Sequence, residues 1–302
     1  MTNAPLKPPP VLKTLDFNII RERLDALSIA VPNFLEHERN PKLDAASGLR
    51  EFLFHQLSGA VWLHKLVRFA CAEKPSDPLR HPELVAAIFP TIRSQLDLVF
   101  VLLFIFDDFP ARFVWYQKAG WFRAMRAYVR DVARHGSDPN FAEILRSQAS
   151  FLRLLEQEVP IRPEEIAAPK RLIKPWPNPG RFHDYLNDPS LAAVFEKLDE
   201  LLYDELSGSA HFTMLGTLAV GQVISNLKRS TGDDWELWVR TYRSYAFSQS
   251  TALILAALSE IEVQFRFGAA PDLLFVWSVC SDTFPLIKEV FESRWKQGLA
   301  PE

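Results

Sequence analysis

Apolar residues recur at helical spacing along almost the whole chain, and this period constrains the fold more than any other feature. No run of alternating apolar and polar residues indicates a β-strand. Glycine, which the tight turns between strands need, accounts for only 11 of 302 residues. The sequence therefore predicts an all-α bundle of about eight to ten helices.

Helix start and stop residues divide the pattern into segments. We expect a first helix over about 14–30, stopped by Pro32, and a long helix from Leu43 to Glu73. The later helices are expected at about 82–108, 110–135, 139–158, 190–206 continuing or breaking near Gly208 to 228, 233–266 and 272–297.

Proline is concentrated in two stretches, 1–13 and 159–189. The second also holds Trp176 and Phe182, which indicates packing against the body of the protein. We therefore expect a Pro-rich leader over 1–13 and a single helical domain over 14–302, with an ordered crossover at 159–189.

The longest uninterrupted apolar run, Leu98–Phe106, is bounded by Asp97 and Asp107 and is much shorter than the about 20 residues that span a bilayer. The first residues lack the apolar core of a signal peptide. Cys71 and Cys280 lie in apolar helical surroundings without metal-ligand spacing. These features predict a cytoplasmic protein that binds no membrane.

Several classes of function have no sequence support. The chain contains no glycine-rich phosphate loop and no Gly-x-Ser-x-Gly motif, and its formal charge is −3. Paired Glu-x-x-His motifs, which a di-iron bundle needs, are also missing. We therefore expect no metal and no cofactor.

Two short motifs form the first candidate site. Arg93 and Asp97 are four residues apart on one helix face beside the most apolar run, so we expect a buried carboxylate paired with the arginine. Tyr203, Ser207 and His211 are spaced so that an unbroken helix would align a phenol, a hydroxyl and an imidazole. The alternative for the first motif is an ion pair on the helix surface. The alternative for the second is a hydrogen-bonded histidine in the core.

The combination of Arg-x-x-x-Asp with Tyr-x-x-Leu-Ser-x-x-x-His resembles a bacterial family of all-helical proteins of unknown function. The likeness covers roughly residues 45–260, and Asp97 stands where glutamate is more usual. The resemblance implies a bundle that brings together Arg93, Asp97, Tyr203, Ser207 and His211. It implies no activity.

A looser similarity links the chain to the HEPN group of helical ribonucleases, whose signature is an arginine followed after four to six residues by a histidine. Arg50 and His55 match this spacing, as do Arg130 and His135. His211 has no arginine at that spacing.

A basic stripe is the second candidate site. Its arginines fall within about 80° of one another at 100° per residue, and residues 108–153 hold eight lysines and arginines against four acids. This stripe consists of Arg112, Arg123, Arg126, Arg130 and Arg134. It predicts either a solvated helix face or a surface for RNA or a protein partner.

Two functions follow from these sites. The first is a non-catalytic binding or regulatory module in which Arg93, Asp97, Tyr203 and His211 form a structural polar network and the basic stripe meets a partner. The second is a metal-independent, HEPN-like ribonuclease in stress or phage defence. In the second, His211 or His135 would activate a ribose hydroxyl while Arg93 or Arg130 stabilises phosphate charge.

Overall fold

The computed structural model describes residues 17–37, 39–44, 46–72, 82–203, 233–283 and 285–300. The first five helices are α1 (Phe17–His37), α2 (Leu49–Ala72), α3 (Pro82–Asp107), α4 (Ala111–His135) and α5 (Ala142–Glu158). They are followed by α6 (Pro163–Ala167), α7 (Pro169–Leu172), α8 (Pro189–Leu198), α9 (Asp233–Phe265), α10 (Ala270–Thr283) and α11 (Pro285–Gly298). The described residues contain no strand, so the prediction of an all-α multi-helix bundle is confirmed. The leader, residues 1–13, lies outside the described residues.

α1 continues through Pro32, where the sequence predicted its end. The apolar residues Leu27, Val31 and Leu35 are all buried, so the core-facing stripe extends to both sides of the proline. Burial of this stripe outweighs the loss of the backbone hydrogen bond that proline cannot donate. The predicted boundary at Pro32 is therefore wrong.

α2 begins at Leu49, later than the predicted start at Leu43. A turn stands in front of it, in which the backbone N–H of Leu43 donates to the carbonyl of Asn40 at 3.0 Å. Gly48, directly before the helix, has a φ of 76°, a left-handed conformation that favours glycine. This backbone reversal prevents the helix from starting earlier.

The single helix expected over 272–297 is divided into α10 and α11, and Pro285 begins the second of them. Proline suits the first turn of a helix because the N–H that it lacks would have no partner there. The apolar period continues from one helix into the next and therefore did not reveal the break.

α3 packs against both α2 and α9 in the middle of the bundle, and α2 and α9 also pack against each other. Leu96, Phe100 and Leu103 are among its fully buried side chains. Within the described residues, Ile88–Asp107 is the one helical stretch long and apolar enough to cross a membrane, with a mean hydropathy of 1.7. Inside the protein, 67% of that stretch is buried. The core helix of a water-soluble protein can have the same length and hydropathy.

The Pro-rich stretch 159–189 packs against the last turns of α3. Phe182 is fully buried and its ring stacks on Phe104, with 4.2 Å between ring centroids. Trp176 meets the same Phe104 ring edge-on at 5.2 Å. Aromatic contacts of this kind attach the stretch to the main core.

α4 to α7 form a part of the protein that we call the arm. The first turn of α4 belongs to the main core, where Phe113 is buried. Farther along, Trp121 of α4 packs instead with Leu152 of α5 and with Ile173, in a small separate apolar cluster. The arm is therefore rooted in the bundle at its start and has a core of its own beyond that.

A buried ion pair lies where α3 meets α4. Arg112 Nη2 is 2.6 Å from Asp107 Oδ2, and the exposed fractions of the two side chains are 6% and 0%. Asp107 also accepts hydrogen bonds from the backbone N–H groups of Asn187 and Asp188, at 2.9 and 2.7 Å. Arg112 Nη1 donates to the carbonyl of Phe104 at 3.0 Å. The pair thus joins the end of α3, the start of α4 and the start of α8.

A second buried network joins α8, α9 and α11. Arg294 donates to both carboxylate oxygens of Glu260, at 2.6 and 2.8 Å, and the Glu260 side chain is fully buried. Arg294 also donates to Asp188 Oδ2 at 2.6 Å. Burial by itself lowers the pKa of Arg294, but the hydrogen bonds to Glu260 and Asp188 outweigh it and raise that pKa. Since the N–H of Asp188 binds Asp107, the two networks are continuous.

We expect Asp107→Asn to lower the free energy of unfolding by about 3–5 kcal/mol, because Arg112 then keeps a buried charge without its anion. Asp108→Asn removes an exposed carboxylate at the next position and should cost less than about 1 kcal/mol. Urea unfolding of both variants measures the two values. Equal costs would contradict the role given to the buried pair.

Candidate functional site

Arg93 and Asp97 form the predicted ion pair within α3, between Arg93 Nη1 and Asp97 Oδ1. The Arg93 side chain is 7% exposed, whereas that of Asp97, which we expected to be buried, is 42% exposed. The expectation of a buried carboxylate is therefore wrong. The long apolar stem of an arginine can cross the core surface and still bring its charge to a half-exposed partner.

The side chains of the other three members of this candidate cluster lie outside the described part of the chain. Tyr203 ends a π-helical turn, Asp199–Tyr203, that packs against α3. Its side chain, Ser207 and His211 lie outside the described residues. The meeting of His211 with Arg93 stays a prediction.

A buried polar group that sequence reasoning missed links α2, α3 and α9. Ser250 Oγ donates to Gln95 Oε1 at 2.7 Å and lies 2.9 Å from His64 Nδ1. Because the serine gives its one proton to Gln95, His64 donates from Nδ1. Its Nε2 is buried and has no hydrogen-bond partner in the described part of the chain. The apolar spacing of α2 could have predicted the burial of His64, since this residue lies on the buried stripe between Leu57 and Val67.

His64 is held in its neutral form. Burial, together with the nearby positive charge of Arg68, lowers the pKa of His64 to about 4. The exposed fraction of the residue is 4%. A buried imidazole that must stay neutral makes the folded state sensitive to acid.

The structure divides the basic stripe among different surroundings. Arg123, Arg126, Arg130 and Arg134 are exposed on α4. Arg112 is buried in the ion pair with Asp107, so its assignment to a binding surface is wrong. The angle around a helix predicts which residues share a face, but the start of α4 packs in the main core and its later turns do not.

A groove between α4 and α7 carries part of this stripe, and we call it the basic groove. Its volume is about 540 Å³. It is lined by Phe122, Met125, Arg126, Val129, Arg130, Ala133, Ala167, Ala168, Pro169, Lys170 and Arg171. Lys170 and Arg171 were missed by the sequence analysis, because no local spacing relates the Pro-rich stretch to α4.

An ion pair fixes the wall that α6 and α7 provide. Lys118 Nζ on α4 lies 2.7 Å from Glu165 Oε1, and the Glu165 side chain is 5% exposed. The backbone N–H of Arg162 donates to Glu165 Oε2 at 2.9 Å. Burial by itself raises the pKa of Glu165, but the hydrogen bonds from Lys118 and Arg162 outweigh it and lower that pKa to about 2. The carboxylate therefore stays charged and keeps α6 against α4.

The two arginine and histidine pairs of the ribonuclease signature differ in placement. Arg130 and His135 lie about 140° apart around α4, and the His135 ring stacks on Phe141 at 4.1 Å. Arg50 and His55 line one cleft of about 330 Å³. The guanidinium of Arg50 is used in the fold, where its Nη1 donates to the carbonyl of Leu35 at 2.7 Å.

The described residues contain no group of three or more histidine, cysteine, aspartate or glutamate side chains arranged to hold a metal ion. Comparisons of this chain with family models, with curated proteins and with solved structures found no match. The family resemblance of the two short motifs stays a prediction.

We expect acid to destabilise the protein through His64. The unfolded histidine takes up a proton near pH 6.5 and the folded one near pH 4. Between these values the unfolded state binds more protons, so stability falls as the pH falls, by up to about 3 kcal/mol. His64→Phe should remove this part of the pH dependence, and His55→Gln, at an exposed histidine of the same helix, should retain it.

The measurement is the free energy of unfolding at several pH values between 4 and 7 for all three proteins. A wild-type slope that persists unchanged in His64→Phe would contradict the assignment.

Proposed function

We propose that this chain is a non-catalytic binding module that holds an acidic amphipathic helix of a protein partner in the basic groove. One observation carries the proposal, namely the combination of an apolar floor with a cationic rim. Arg126, Lys170 and Arg171 form no ion pair within the described residues. Cations without intramolecular acids are free to pair with acids of a partner.

The charge of the groove supports an anionic occupant. None of its lining residues is acidic. Arg130 has a neighbouring acid, Asp131, at 3.1 Å, and that acid is shared with the amide of Gln148 at 3.0 Å. A cleft lined by one sign of charge attracts ligands of the opposite sign and speeds their association.

The floor of the groove supports a helix rather than a nucleic acid. Val129 is 55% exposed there, and the opposite wall consists of the small residues Ala167, Ala168 and Pro169. Such a surface accepts apolar side chains that recur every three or four residues on a helix. Single-stranded RNA instead uses open aromatic faces for stacking. Among the lining residues the aromatic ring is Phe122, and Arg126 lies over it at 5.9 Å.

The ribonuclease alternative and the cytoplasmic location stay predictions. Binding needs no proton transfer, so it requires nothing of His135, which stacks on Phe141. The pair of Arg93 and Asp97 then has a structural role within α3. RNA is included below as a competing ligand, so the same experiment compares the two functions.

We expect Arg126→Glu/Lys170→Glu to weaken binding of an acidic helical peptide by at least about tenfold. The probe is a fluorescein-labelled peptide of about 18 leucine, glutamate and alanine residues, with the leucines at helical spacing. Arg146→Glu/Arg153→Glu makes the same change of charge on the arm outside the groove and should change the affinity by less than about threefold. Fluorescence anisotropy measures the affinities.

Val129→Lys separates the groove from general attraction between charges. It adds a positive charge and removes apolar surface, so it weakens binding if the floor is used and strengthens binding if charge is sufficient. Equal weakening by both double variants would contradict the proposal. Tighter binding of oligouridine than of the acidic peptide would assign the groove to RNA.

A further inference from the structure

A second cavity lies on the other side of α4, and we call it the junction cleft. Its volume is about 620 Å³. It is formed by the start of α2, the first half of α4, the end of α5 and Trp176. Cavities that hold small organic ligands have volumes of about 300–1,000 Å³. The proposed function makes no use of this cleft.

Six aromatic residues contribute to the walls of the junction cleft. The rings that line it are Phe52, Phe113, Tyr116, Trp121, Phe151 and Trp176. Several of them form one connected set, with centroid distances of 5.2 Å between Phe52 and Tyr116 and 5.1 Å between Tyr116 and Trp176. Connected rings of this kind provide faces and edges against which a planar ligand can pack.

An exposed glycine of α4 lines the cleft. Gly120 lines it from the middle of α4, and a Cβ atom added there would meet no other atom within 4 Å. Glycine in the middle of an exposed helix costs stability relative to alanine. A side chain at this position would extend into open space beside the cleft.

One buried donor at the cleft has no acceptor. Trp121 lines the cleft and is 1% exposed. Its indole N–H has no hydrogen-bond partner in the described part of the chain. Buried donors are nearly always paired, so an unpaired one beside a cavity indicates that an acceptor arrives with a ligand or a water.

Charges of both signs stand around the aromatic walls. Arg123 lines the cleft from α4, Glu51 from α2 and Glu158 from the end of α5. All three are exposed, and none forms an ion pair within the described residues. The cleft therefore offers one site for an anionic group and two for a cationic group.

We infer that the junction cleft binds a small zwitterionic aromatic molecule of the free aromatic amino acid class. The ring packs among Tyr116, Trp121 and Trp176. The carboxylate pairs with Arg123, and the ammonium group pairs with Glu51 or Glu158. This site and its ligand are independent of the basic groove.

Isothermal titration with three indoles tests the inference. L-tryptophan should bind with a Kd below about 1 mM. Tryptamine lacks the carboxylate and indole-3-propionate lacks the ammonium group, so each should bind at least about tenfold more weakly. Arg123→Gln should reduce the affinity for L-tryptophan to that for tryptamine and leave tryptamine binding unchanged.

Substitutions at Gly120 test the place of binding. Gly120→Phe fills the cleft and should weaken L-tryptophan binding by at least about tenfold. Gly120→Ala adds a single methyl group, should raise the unfolding midpoint, and should retain the affinity within about twofold. The unfolding midpoint of Gly120→Phe shows whether it folds, and Arg123→Gln decides the matter if it does not.

Three results would overturn the inference. They are absence of L-tryptophan binding by the folded protein, equal binding of the three indoles, and unchanged binding by folded Gly120→Phe.

Discussion

The buried ion pair of Asp107 and Arg112 is the interaction on which the placement of the arm depends. It lies at the root of α4, and its carboxylate also accepts the backbone N–H of Asp188, so the entry to the arm and the exit from the Pro-rich stretch are held by one side chain. Both charges are removed from water, which costs free energy of desolvation. The ion pair itself and the hydrogen bond from Arg112 to the carbonyl of Phe104 offset this cost. The basic groove lies on the arm and the junction cleft lies between the arm and the start of α2, so both depend on where this contact places α4.

The same reasoning extends across the bundle to Glu260. Asp188, which binds Asp107 through its N–H, binds Arg294 through its carboxylate, and Arg294 in turn binds the fully buried Glu260. Apolar helix faces can pack at several registers with similar burial, since the hydrophobic effect has no direction. Buried charges are more selective, because each has to meet its partner. In this bundle the burial of apolar residues drives the packing of the helices, and the chain of ion pairs joins α3, α4, α8, α9 and α11.

The sequence predicted the parts of the fold that depend on local properties and failed where distant segments meet. Helical period is local, so the all-α bundle was predicted correctly. The burial of Arg112 depends on where the main core ends along α4. The approach of Lys170 to α4 depends on how the Pro-rich stretch folds. The spacing of residues along the sequence predicts neither of these. His64 was within reach of sequence reasoning, because a histidine on a buried apolar stripe predicts a buried imidazole. The partner of that imidazole, Ser250, lies far away in the sequence, so the sequence could not predict this contact.

The two candidate sites use opposite faces of one helix. The residues of α4 that line the basic groove and those that line the junction cleft are centred about 150° apart at 100° per residue. α4 cannot bury both faces, and the small cluster around Trp121 covers only part of it. The Lys118 and Glu165 ion pair adds to this small core, because it ties α6 to α4 through a carboxylate whose pKa is lowered to about 2 despite its burial. The arm thus retains a defined shape with little apolar burial. Because few apolar side chains of α4 are buried, apolar surface on this helix stays open for ligands.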